Sequence, residues 1–325
     1  MRIARQLSDV QFDRNSVVSV GSFDGVHRAH QEVIREVVRK TRERGGRGVL
    51  VTFEPHPKQV LGPAARDIRL LTTLDERIDL CRELGVELMF VIPFTFEFSR
   101  QSFREFYLKY IVKGVGVSEV IEGYDHHFGR DREGSVQELL QMGREFDFSV
   151  TAMKPVTLGD EIVSSSAIRN HLLQGDVGRA EQLLGRPYLL AGKVVRGDGR
   201  GKALGYPTAN LLPSSPVKVV PQNGIYVAIV RWKSSVSYGL VSIGTRPTFN
   251  QDGDRRLEVH ILGFDGDLYG ASIDIQFLKL LREERKFDTA ADLVRQMDSD
   301  KEAGTRVIEE YEKILRQPLT GTSRS

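Results

Sequence analysis

The chain has few of the residues that build disulfide frameworks or membrane spans. Its 325 residues include one cysteine, Cys81, which excludes an internal disulfide and, alone, a zinc site. No apolar run approaches the roughly 18 residues of a membrane helix, and residues 1–15 lack the apolar core of a secretory signal. We therefore expect a cytoplasmic globular protein in which Cys81 is a small core residue.

A large net charge is also missing. Lysine and arginine number 46 and aspartate and glutamate 44, which leaves a formal net charge of +2. A chain so near neutrality has no global field that attracts nucleic acid or an anionic membrane, so neither partner is expected. Any phosphate must then be bound by local loops, for which the 31 glycines are candidates.

The first half alternates short apolar runs with amphipathic stretches, which predicts a parallel sheet flanked by helices. Strands are predicted at Val17–Val20, Val49–Phe53, Leu88–Ile92, Glu119–Ile121 and Ser149–Met153. Helices are predicted at Gln31–Glu43, Thr73–Leu84 with the capping pattern Thr73-x-x-Glu76, Ser102–Tyr110, Ser135–Glu145, Ser166–Leu173 and Val177–Leu184. Domains usually hold about 100–200 residues, so we expect two, the first spanning residues 1–186 and ending at Gly185-Arg186-Pro187.

The second half, residues 187–318, consists of short β-like runs separated by turn residues. Strands are predicted at Leu189–Val195, Ile225–Val230, Tyr238–Ile243, Arg256–Leu262 and Ser272–Phe277. Strands without crossover helices indicate an antiparallel barrel or sandwich. A helix over Thr289–Leu315, with an irregularity near Ser299–Gly304, closes the domain, and residues 319–325 are expected to form a flexible tail.

The densest motif, Gly21–His30 (GSFDGVHRAH), lies directly between the first predicted strand and a helix. Gly21 and Gly25 permit close approach of the backbone to a ligand, and the helix N-terminus favours an anion. His27 and His30 are three residues apart, so both imidazoles share one face of the first turn. The arrangement suits a triphosphate; the alternative is a tight turn with solvated histidines.

Two further segments of the first half carry polar side chains. Ser164–Arg169 opens a helix with hydroxyl groups and an arginine that can bind an anion, the alternative being an ordinary N-cap with a surface arginine. Gly123–Arg130 follows a strand, and therefore lies at the same sheet edge as the first motif. Its adjacent His126 and His127 cannot readily share one metal ion on regular structure, which disfavours a metal site.

A basic, glycine-rich segment, Gly192–Gly205, opens the second domain with five glycines and four basic residues. Such a loop can fold its N–H groups around phosphates, although it lacks the Gly-Lys-Ser/Thr ending of a P-loop. A flexible surface hairpin is the alternative. Thr208 and Asn210 follow on one face of an extended segment, and their neutral oxygens suit a hard cation such as Mg²⁺.

The run Leu257–Leu262 alternates, which places Glu258 and His260 on the same face of a strand. A carboxylate on an inward face raises the free energy of the fold unless it has a partner or a task. Glu258 is therefore a candidate catalytic group, with a salt-bridged rim residue as the alternative. The run ends in an aspartate-glycine turn within Gly263–Gly270.

These motifs resemble those of the bacterial bifunctional riboflavin kinase/FMN adenylyltransferase family, also called FAD synthetase. Gly21–His30 is similar to its G-x-F-D-G-x-H-x-G-H signature, Gly123–Gly129 to its G-x-D-F-x-F-G loop and Ser164–Arg169 to its S-S-T-x-I-R segment. The chain departs from these patterns at three positions, which are Ala29 for Gly, His126 for Phe and Ser166 for Thr.

The second half resembles the riboflavin kinase part of the same family. The matching segments are Gly205–Asn210 (G-[FY]-P-T-A-N), Asn223–Tyr226 (N-G-[VI]-Y), Ser242–Phe249 (N-I-G-x-R-P-T-F), Glu258–Gly270 (E-x-H-x-L-x-F-x-G-D-L-Y-G) and Arg282–Phe287 (R-x-E-x-K-F). The resemblance therefore extends from about residue 15 to about residue 300.

The resemblance implies a Rossmann-like α/β nucleotidyltransferase domain followed by a mostly antiparallel, six-stranded β-barrel riboflavin kinase domain with a C-terminal helix. It implies phosphorylation of riboflavin to FMN with ATP and Mg²⁺, and then adenylyl transfer from a second ATP to FMN, which gives FAD and pyrophosphate. Riboflavin, FMN and ATP are the expected small-molecule partners, and the oligomeric state is left open.

The resemblance also assigns residues to each site. For the adenylyl site these are catalytic His27 and His30, ATP-binding Gly21, Phe23, Asp24, Gly25, Ser165, Ser166 and Arg169, and flavin-binding Asp125 and Phe128. For the kinase site they are catalytic Glu258, ATP-binding Gly192, Gly199, Lys202, Gly205, Thr208 and Asn210, the last two also holding the metal, and flavin-binding Arg282 and Glu284.

Two rival hypotheses stay open at this point. Because Ala29 and His126 depart from the adenylyl motifs, the chain could work as a kinase alone. The second domain could instead be a nucleic-acid-binding barrel with Arg196–Lys202 as its basic loop, but that hypothesis requires stacking aromatics next to the loop, and the loop has none.

Overall fold

The computed structural model describes residues 1–61, 68–124, 136–197, 201, 204–245 and 255–316. The chain forms two compact units, Met1–Ala167 and Ile168–Ser325. By their contacts, the helices of residues 168–184 belong to the second unit. The predicted domain boundary after Arg186 stays a prediction.

The first unit contains a parallel sheet of six strands within its described residues. The strands are β1 (Arg2–Ala4), β2 (Val17–Val20), β3 (Gly48–Glu54), β4 (Leu88–Pro93), β5 (Glu119–Glu122) and β6 (Ser149–Ala152). They lie in the order β1-β4-β3-β2-β5-β6, and every neighbouring pair is parallel. The central strands are almost wholly buried, as continuous apolar runs in a sheet covered on both faces should be.

Helices cover both faces of this sheet. They are α1 (Arg28–Arg44), α2 (Pro57–Val60), α3 (Leu74–Glu83), α4 (Phe103–Phe106), a π-helix (Tyr107–Val115) and α5 (Val136–Phe146). A hairpin of β7 (Thr157–Leu158) and β8 (Glu161–Ile162) follows, and after it comes α6 (Ser165–Leu173). The predicted capping box is confirmed, since Thr73 and Glu76 bond reciprocally at the start of α3. Cys81 is fully buried in the core, as expected.

The predicted helix Ser102–Tyr110 is longer and less regular than expected. It begins as α4 and continues as the π-helix to Val115, where Gly116 at φ +81° ends it. Tyr107, Ile111 and Val115 are all buried and spaced by four residues, so the apolar face that holds the segment against the sheet extends beyond Tyr110.

The second unit is a closed antiparallel barrel of six strands, which confirms the fold that the family resemblance implied. The strand pattern alone also allowed a sandwich. Its strands are β9 (Tyr188–Val195), β10 (Ala209–Pro213), β11 (Gly224–Trp232), β12 (Ser235–Thr245), β13 (Arg255–Ile261) and β14 (Ser272–Arg282), in the order β10-β13-β12-β11-β14-β9. The helix α7 (Val177–Leu184) precedes them. The short strand β10 was not predicted as a strand, because Pro213 and the exposed Leu212 obscure its alternation.

The C-terminal helix α8 (Ala290–Arg316) is continuous, so the predicted irregularity near Ser299–Gly304 is wrong. The polar and small residues of this part of α8 contact the barrel. Asp300 is buried against Arg282, and a Cβ at Gly304 would come within 2.9 Å of a Leu240 methyl group. The small residue therefore permits close packing of α8 on the barrel and does not interrupt the helix.

Candidate active sites

The topology of the first unit places a ligand site at the carboxyl ends of β2 and β5. From β2 the chain passes through α1 to β3 on one side, whereas β5 and β6 lie on the other side of β2. Parallel sheets bind ligands where the strand order reverses in this way, beyond the carboxyl ends of the strands. Gly21 follows β2 and Gly123 follows β5, so both motifs begin at this point.

The turn after β2 has an unusual backbone that neighbouring residues hold in place. Phe23, Gly25 and Val26 have φ angles of 49°, 86° and 39°. The buried Asp24 carboxylate accepts hydrogen bonds from the backbone N–H groups of Leu71 at 2.9 Å and Thr72 at 3.0 Å. Its bonds thus hold the turn in place, within the motif assigned to ATP binding.

A second motif reaches the same turn. The Ser165 hydroxyl, in the first turn of α6, donates to the Asp24 carbonyl oxygen at 2.9 Å. The structure therefore brings Gly21–Gly25 and Ser165 together, as the sequence motifs implied. Ser166 follows in the first turn of α6, and Arg169 lies one helical turn later. The predicted flavin residues Asp125 and Phe128 lie outside the described residues.

The two histidines of the turn stack at the start of α1. Their ring centroids are 3.6 Å apart with planes 16° from parallel, which confirms that the imidazoles share one face. His27 is the N-cap, and its Nδ1 accepts a hydrogen bond from the His30 N–H at 3.4 Å. The two imidazoles, the first turn of α1 with Glu32, and Lys154 line a cavity of about 40 Å³ next to Gly123. This set of donors can bind phosphate oxygens.

In the second unit the antiparallel register brings Thr208, Asn210 and Glu258 together. Asn210 of β10 pairs with Glu258 of β13, and the Thr208 hydroxyl donates to Glu258 Oε2 at 3.1 Å. Arg256 lies 3.6 Å from the other Glu258 oxygen, so Glu258 also has the salt bridge of the alternative hypothesis. The site combines a hydroxyl, an amide and a carboxylate.

The predicted alternation of β13 is confirmed, but Glu258 is not on its inward face. Leu257, Val259 and Ile261 are buried in the barrel core, whereas Glu258 and His260 are half-buried on the opposite face. His260 Nδ1 lies 2.9 Å from the Pro207 carbonyl oxygen, which ties the strand to the segment that carries Thr208. Because the outer face of the barrel is open to solvent here, the carboxylate is accessible to a substrate.

A cavity of about 340 Å³ lies beside Thr208 and Asn210, and its lining includes Val259 and Ile261 of β13 but not Glu258. The other walls are the end of β9 with Arg196 and Gly197, residues 207–210, Phe264 and residues 266–269. Of the predicted nucleotide residues, Gly192 is buried within β9, where a Cβ would come within 2.6 Å of Leu211 Cγ. Gly205 has φ +82° in the turn before Tyr206, and Gly199 and Lys202 lie outside the described residues.

The helix α8 bonds Tyr206 and Arg282. The Tyr206 hydroxyl donates to Asp298, and this bond, with burial, raises the pKa of Tyr206 to about 12. The Arg282 guanidinium forms a two-pronged ion pair with Asp300, with Nε 2.9 Å from Oδ1 and an amino nitrogen 2.7 Å from Oδ2. Arg282, predicted to bind flavin, is therefore largely engaged by the helix.

The other predicted flavin residue, Glu284, lies just beyond β14. Its carboxylate accepts a hydrogen bond from the Asn223 side-chain amide at 3.4 Å, which places it beside the start of β11. Within the described part of the chain, no three or more His, Cys, Asp and Glu side chains form a group that could by itself hold a metal ion. The disfavoured metal site at His126 and His127 falls outside that part.

Both units match known families. Residues 9–167 match the family model for FAD synthetase, and residues 184–308 match the model for riboflavin kinase. The chain is 34% identical to the bifunctional riboflavin kinase/FMN adenylyltransferase of Listeria monocytogenes, over 91% of this chain and 93% of that protein. It is 35% identical to the enzyme of the same name from Pseudomonas fluorescens, over 92% of this chain and 96% of that protein. The chain belongs to this bifunctional family.

A solved structure has a fold similar to that of this chain. A crystal structure described as a macrolide-efflux protein from Streptococcus pneumoniae superimposes with a TM-score of 0.85 at 32% identity, covering 93% of this chain and 98% of that chain. The described helices include none with the length and apolar composition of a membrane span. The resemblance and the fold expected from the motifs, an α/β nucleotidyltransferase domain and a riboflavin kinase barrel, are thus confirmed.

Sequence reasoning missed two buried ionisable residues near the carboxyl ends of β2 and β5. Glu122, the last residue of β5, is 3% exposed, and burial raises its pKa to about 8. Arg77 on α3 is fully buried beside the turn after β2. Its position four residues before Cys81, on the face of the helix that meets the core, is the signal that could have revealed it.

Proposed function

We propose that this chain makes FAD from riboflavin in two successive ATP-dependent reactions, one in each unit. The observation that carries the proposal is that one chain contains both family domains, each with its own cluster of polar groups. The proposed substrates are riboflavin, FMN and ATP. The near-neutral charge supports the absence of nucleic-acid and membrane partners, and a cytoplasmic location is part of the proposal.

In the kinase reaction the terminal ribityl hydroxyl of riboflavin attacks the γ-phosphorus of ATP, and ADP leaves. Glu258 would accept or orient the proton of the attacking hydroxyl. Its Oε2 already accepts a hydrogen bond from a hydroxyl group, that of Thr208, at 3.1 Å, which supports this role. Phosphoryl transfer depends mainly on positioning and charge stabilisation, so Glu258 is expected to act through geometry.

Thr208 and Asn210 are the proposed magnesium ligands. Hydroxyl and amide oxygens beside a carboxylate suit this hard cation, which usually keeps one or two protein ligands and completes its shell with water and substrate phosphates. When bound, Mg²⁺ would neutralise charge on the phosphates. The residues proposed to bind flavin are Arg282 and Glu284.

The cavity beside Asn210 is the proposed nucleotide site of the kinase. It combines apolar walls with Arg196, whose guanidinium carbon lies 5.0 Å from the centre of the Tyr269 ring. Gly199, Lys202 and Gly205 would bind the phosphates through backbone N–H groups and the ammonium group, and Gly192 would let β9 pack closely enough to shape the cavity.

In the adenylyl reaction the FMN phosphate attacks the α-phosphorus of a second ATP, and pyrophosphate leaves. A general base is unnecessary, since a phosphate monoester with a second pKa of about 6 is mostly dianionic at neutral pH. His27, His30 and Arg169 would stabilise the charge that develops on the transferred group, with Gly21, Phe23, Gly25, Ser165 and Ser166 shaping the ATP site. Asp125 and Phe128 are the proposed flavin contacts.

A two-step assay tests this function. The purified chain is incubated with riboflavin, ATP and Mg²⁺, and flavins are separated by chromatography over time. We expect FMN to form first and FAD to follow. Accumulation of FMN without FAD would favour the kinase-only alternative, and formation of neither would overturn the proposal. Glu258→Gln should abolish most FMN formation while FAD formation from supplied FMN continues at the normal rate.

A further inference from the structure

A buried arginine joins the strands of the adenylyltransferase site. Arg77 is 0% exposed, and its guanidinium donates to the Ser22 carbonyl oxygen at 2.8 Å and to the Thr52 hydroxyl at 3.2 Å through one amino nitrogen. The other amino nitrogen lies 3.2 Å from the carboxylate of Glu54. These acceptors lie on the turn after β2 and on the carboxyl half of β3, so one side chain links two strand ends.

Burial of a full positive charge is unfavourable unless the charge is paired and hydrogen-bonded. Glu54, the last residue of β3, supplies the opposite charge, and the Ser22 and Thr52 oxygens accept hydrogen bonds from the other amino nitrogen, while Nε has no hydrogen-bond partner among the described residues. An apolar side chain would fill this position without such requirements. The hydrogen bonds of the guanidinium group are therefore the reason for an arginine at this buried position.

The Ser22 carbonyl group directly precedes the part of the turn with an unfavourable backbone conformation. Phe23 and Val26 are non-glycine residues at positive φ, which persist only where surrounding contacts hold them. Arg77 and the Thr52 hydroxyl both bond the Ser22 oxygen, at 2.8 Å and 3.3 Å. The turn leads directly into His27, the N-cap of α1.

We infer that Arg77 is a positioning residue for adenylyl transfer: its forked guanidinium holds Ser22 and Glu54 together and thereby sets the orientation of His27 and His30. The inference rests on the proposed adenylyl reaction. Lysine has one nitrogen on a flexible stem, so it cannot occupy both sets of acceptors at once, although it keeps the charge. A lysine at this position therefore tests the two-sided hydrogen-bonding geometry of the guanidinium group separately from its charge.

The test compares Arg77→Lys with the unchanged chain in both reactions. Displacing reacting groups by about 1 Å can lower a rate about 100-fold, so we expect kcat for FAD formation from FMN to fall by at least about 10-fold. FMN formation by the same molecules should stay at the wild-type rate and reports that the preparation is sound. Hydrogen exchange should accelerate in peptides spanning residues 21–27 and remain unchanged in those of β4 and β5.

Arg44→Lys is the matched control. Arg44 forms a similar ion pair with Glu119 at 2.7 Å, but Glu119 begins β5, so the pair lies at the amino edge of the same sheet. This variant should keep kcat for FAD formation. Wild-type kcat in Arg77→Lys, or an equal loss of kcat in both variants, would overturn the inference. Failure of the unchanged chain to make FAD would instead overturn the proposed adenylyl reaction.

Discussion

At the scale of single residues, two glutamates of β5 show how partners decide the state of a buried carboxyl. Glu119 and Glu122 are 1% and 3% exposed. Burial alone would raise the pKa of Glu119, but hydrogen bonds from Thr151, Arg44 and Lys40 outweigh it and lower that pKa. Burial raises the pKa of Glu122 from 4.5 to about 8. Glu122 is therefore expected to be mostly protonated at neutral pH.

The raised pKa of Glu122 makes the stability of the first unit depend on pH. The folded pKa of Glu122 lies above its unfolded value, so the stabilisation is complete below about pH 4.5 and is lost as pH rises towards about 8. Over that range Glu122 should lower the free energy of unfolding by up to about 1.4 kcal/mol per pH unit. Thermal unfolding followed by circular dichroism at several pH values measures it.

Glu122→Gln is the comparison for that measurement, because glutamine is close in shape and does not titrate. The variant should match the unchanged chain near about pH 4 and be more stable than it above about pH 8. A stability difference that is constant across this range would show that Glu122 does not titrate as described.

At the scale of elements, strands β9 and β10 depend on small residues at their contacts. Gly197 follows β9, and a Cβ there would collide with the side-chain amide of Asn210 on β10. The glycine-rich composition of this segment, interpreted from sequence as a phosphate loop, therefore has a second cause. At Gly192 and Gly197 it lets a backbone approach a neighbouring side chain closely.

Gly197→Ala should therefore disturb the kinase site through Asn210. We expect the KM for ATP in FMN formation to rise by about 10-fold or more, because the amide must turn away from its place beside Glu258. Gly178→Ala, on α7 with no close neighbour to its Cβ other than Asp176 at 3.9 Å, is the control and should leave KM unchanged. Steady-state kinetics at several ATP concentrations distinguish the two, and equal KM values would contradict the role given to Asn210.

At the scale of the whole molecule, the two reactions are assigned to separate units of one chain. Each unit has its own core, and the polar groups proposed for each reaction's chemistry, the stacked histidines and the Thr208–Glu258 pair, lie in different units. Substitutions in one site should therefore leave the other reaction intact.

The variants His27→Ala and Glu258→Gln test this separation. The first should form FMN but little FAD, and the second should convert supplied FMN to FAD but form little FMN. A mixture of the two proteins, given riboflavin and ATP, should again produce FAD, because FMN released by one chain can bind the other. If His27→Ala lost both activities equally, the histidine would serve folding and not adenylyl transfer.

Much of this molecule is predictable from the order of its residues, because the relevant interactions are local. Apolar runs defined strands such as Val17–Val20, Thr73 and Glu76 defined the start of α3, and the spacing of His27 and His30 put both rings on one face. Each of these features depends on residues within a few positions of one another, where backbone geometry alone determines what can meet.

Tertiary structure decided the features that join distant parts of the chain. The closure of the barrel, the pairing of Arg282 with Asp300 and the continuity of α8 over Gly304 depend on which strands and helices become neighbours. Arg77 is 55 positions from Ser22, and no local pattern connects them. The sequence alone indicated the family and its two reactions, and only the fold decided which buried groups join distant segments, because such contacts require the packed topology.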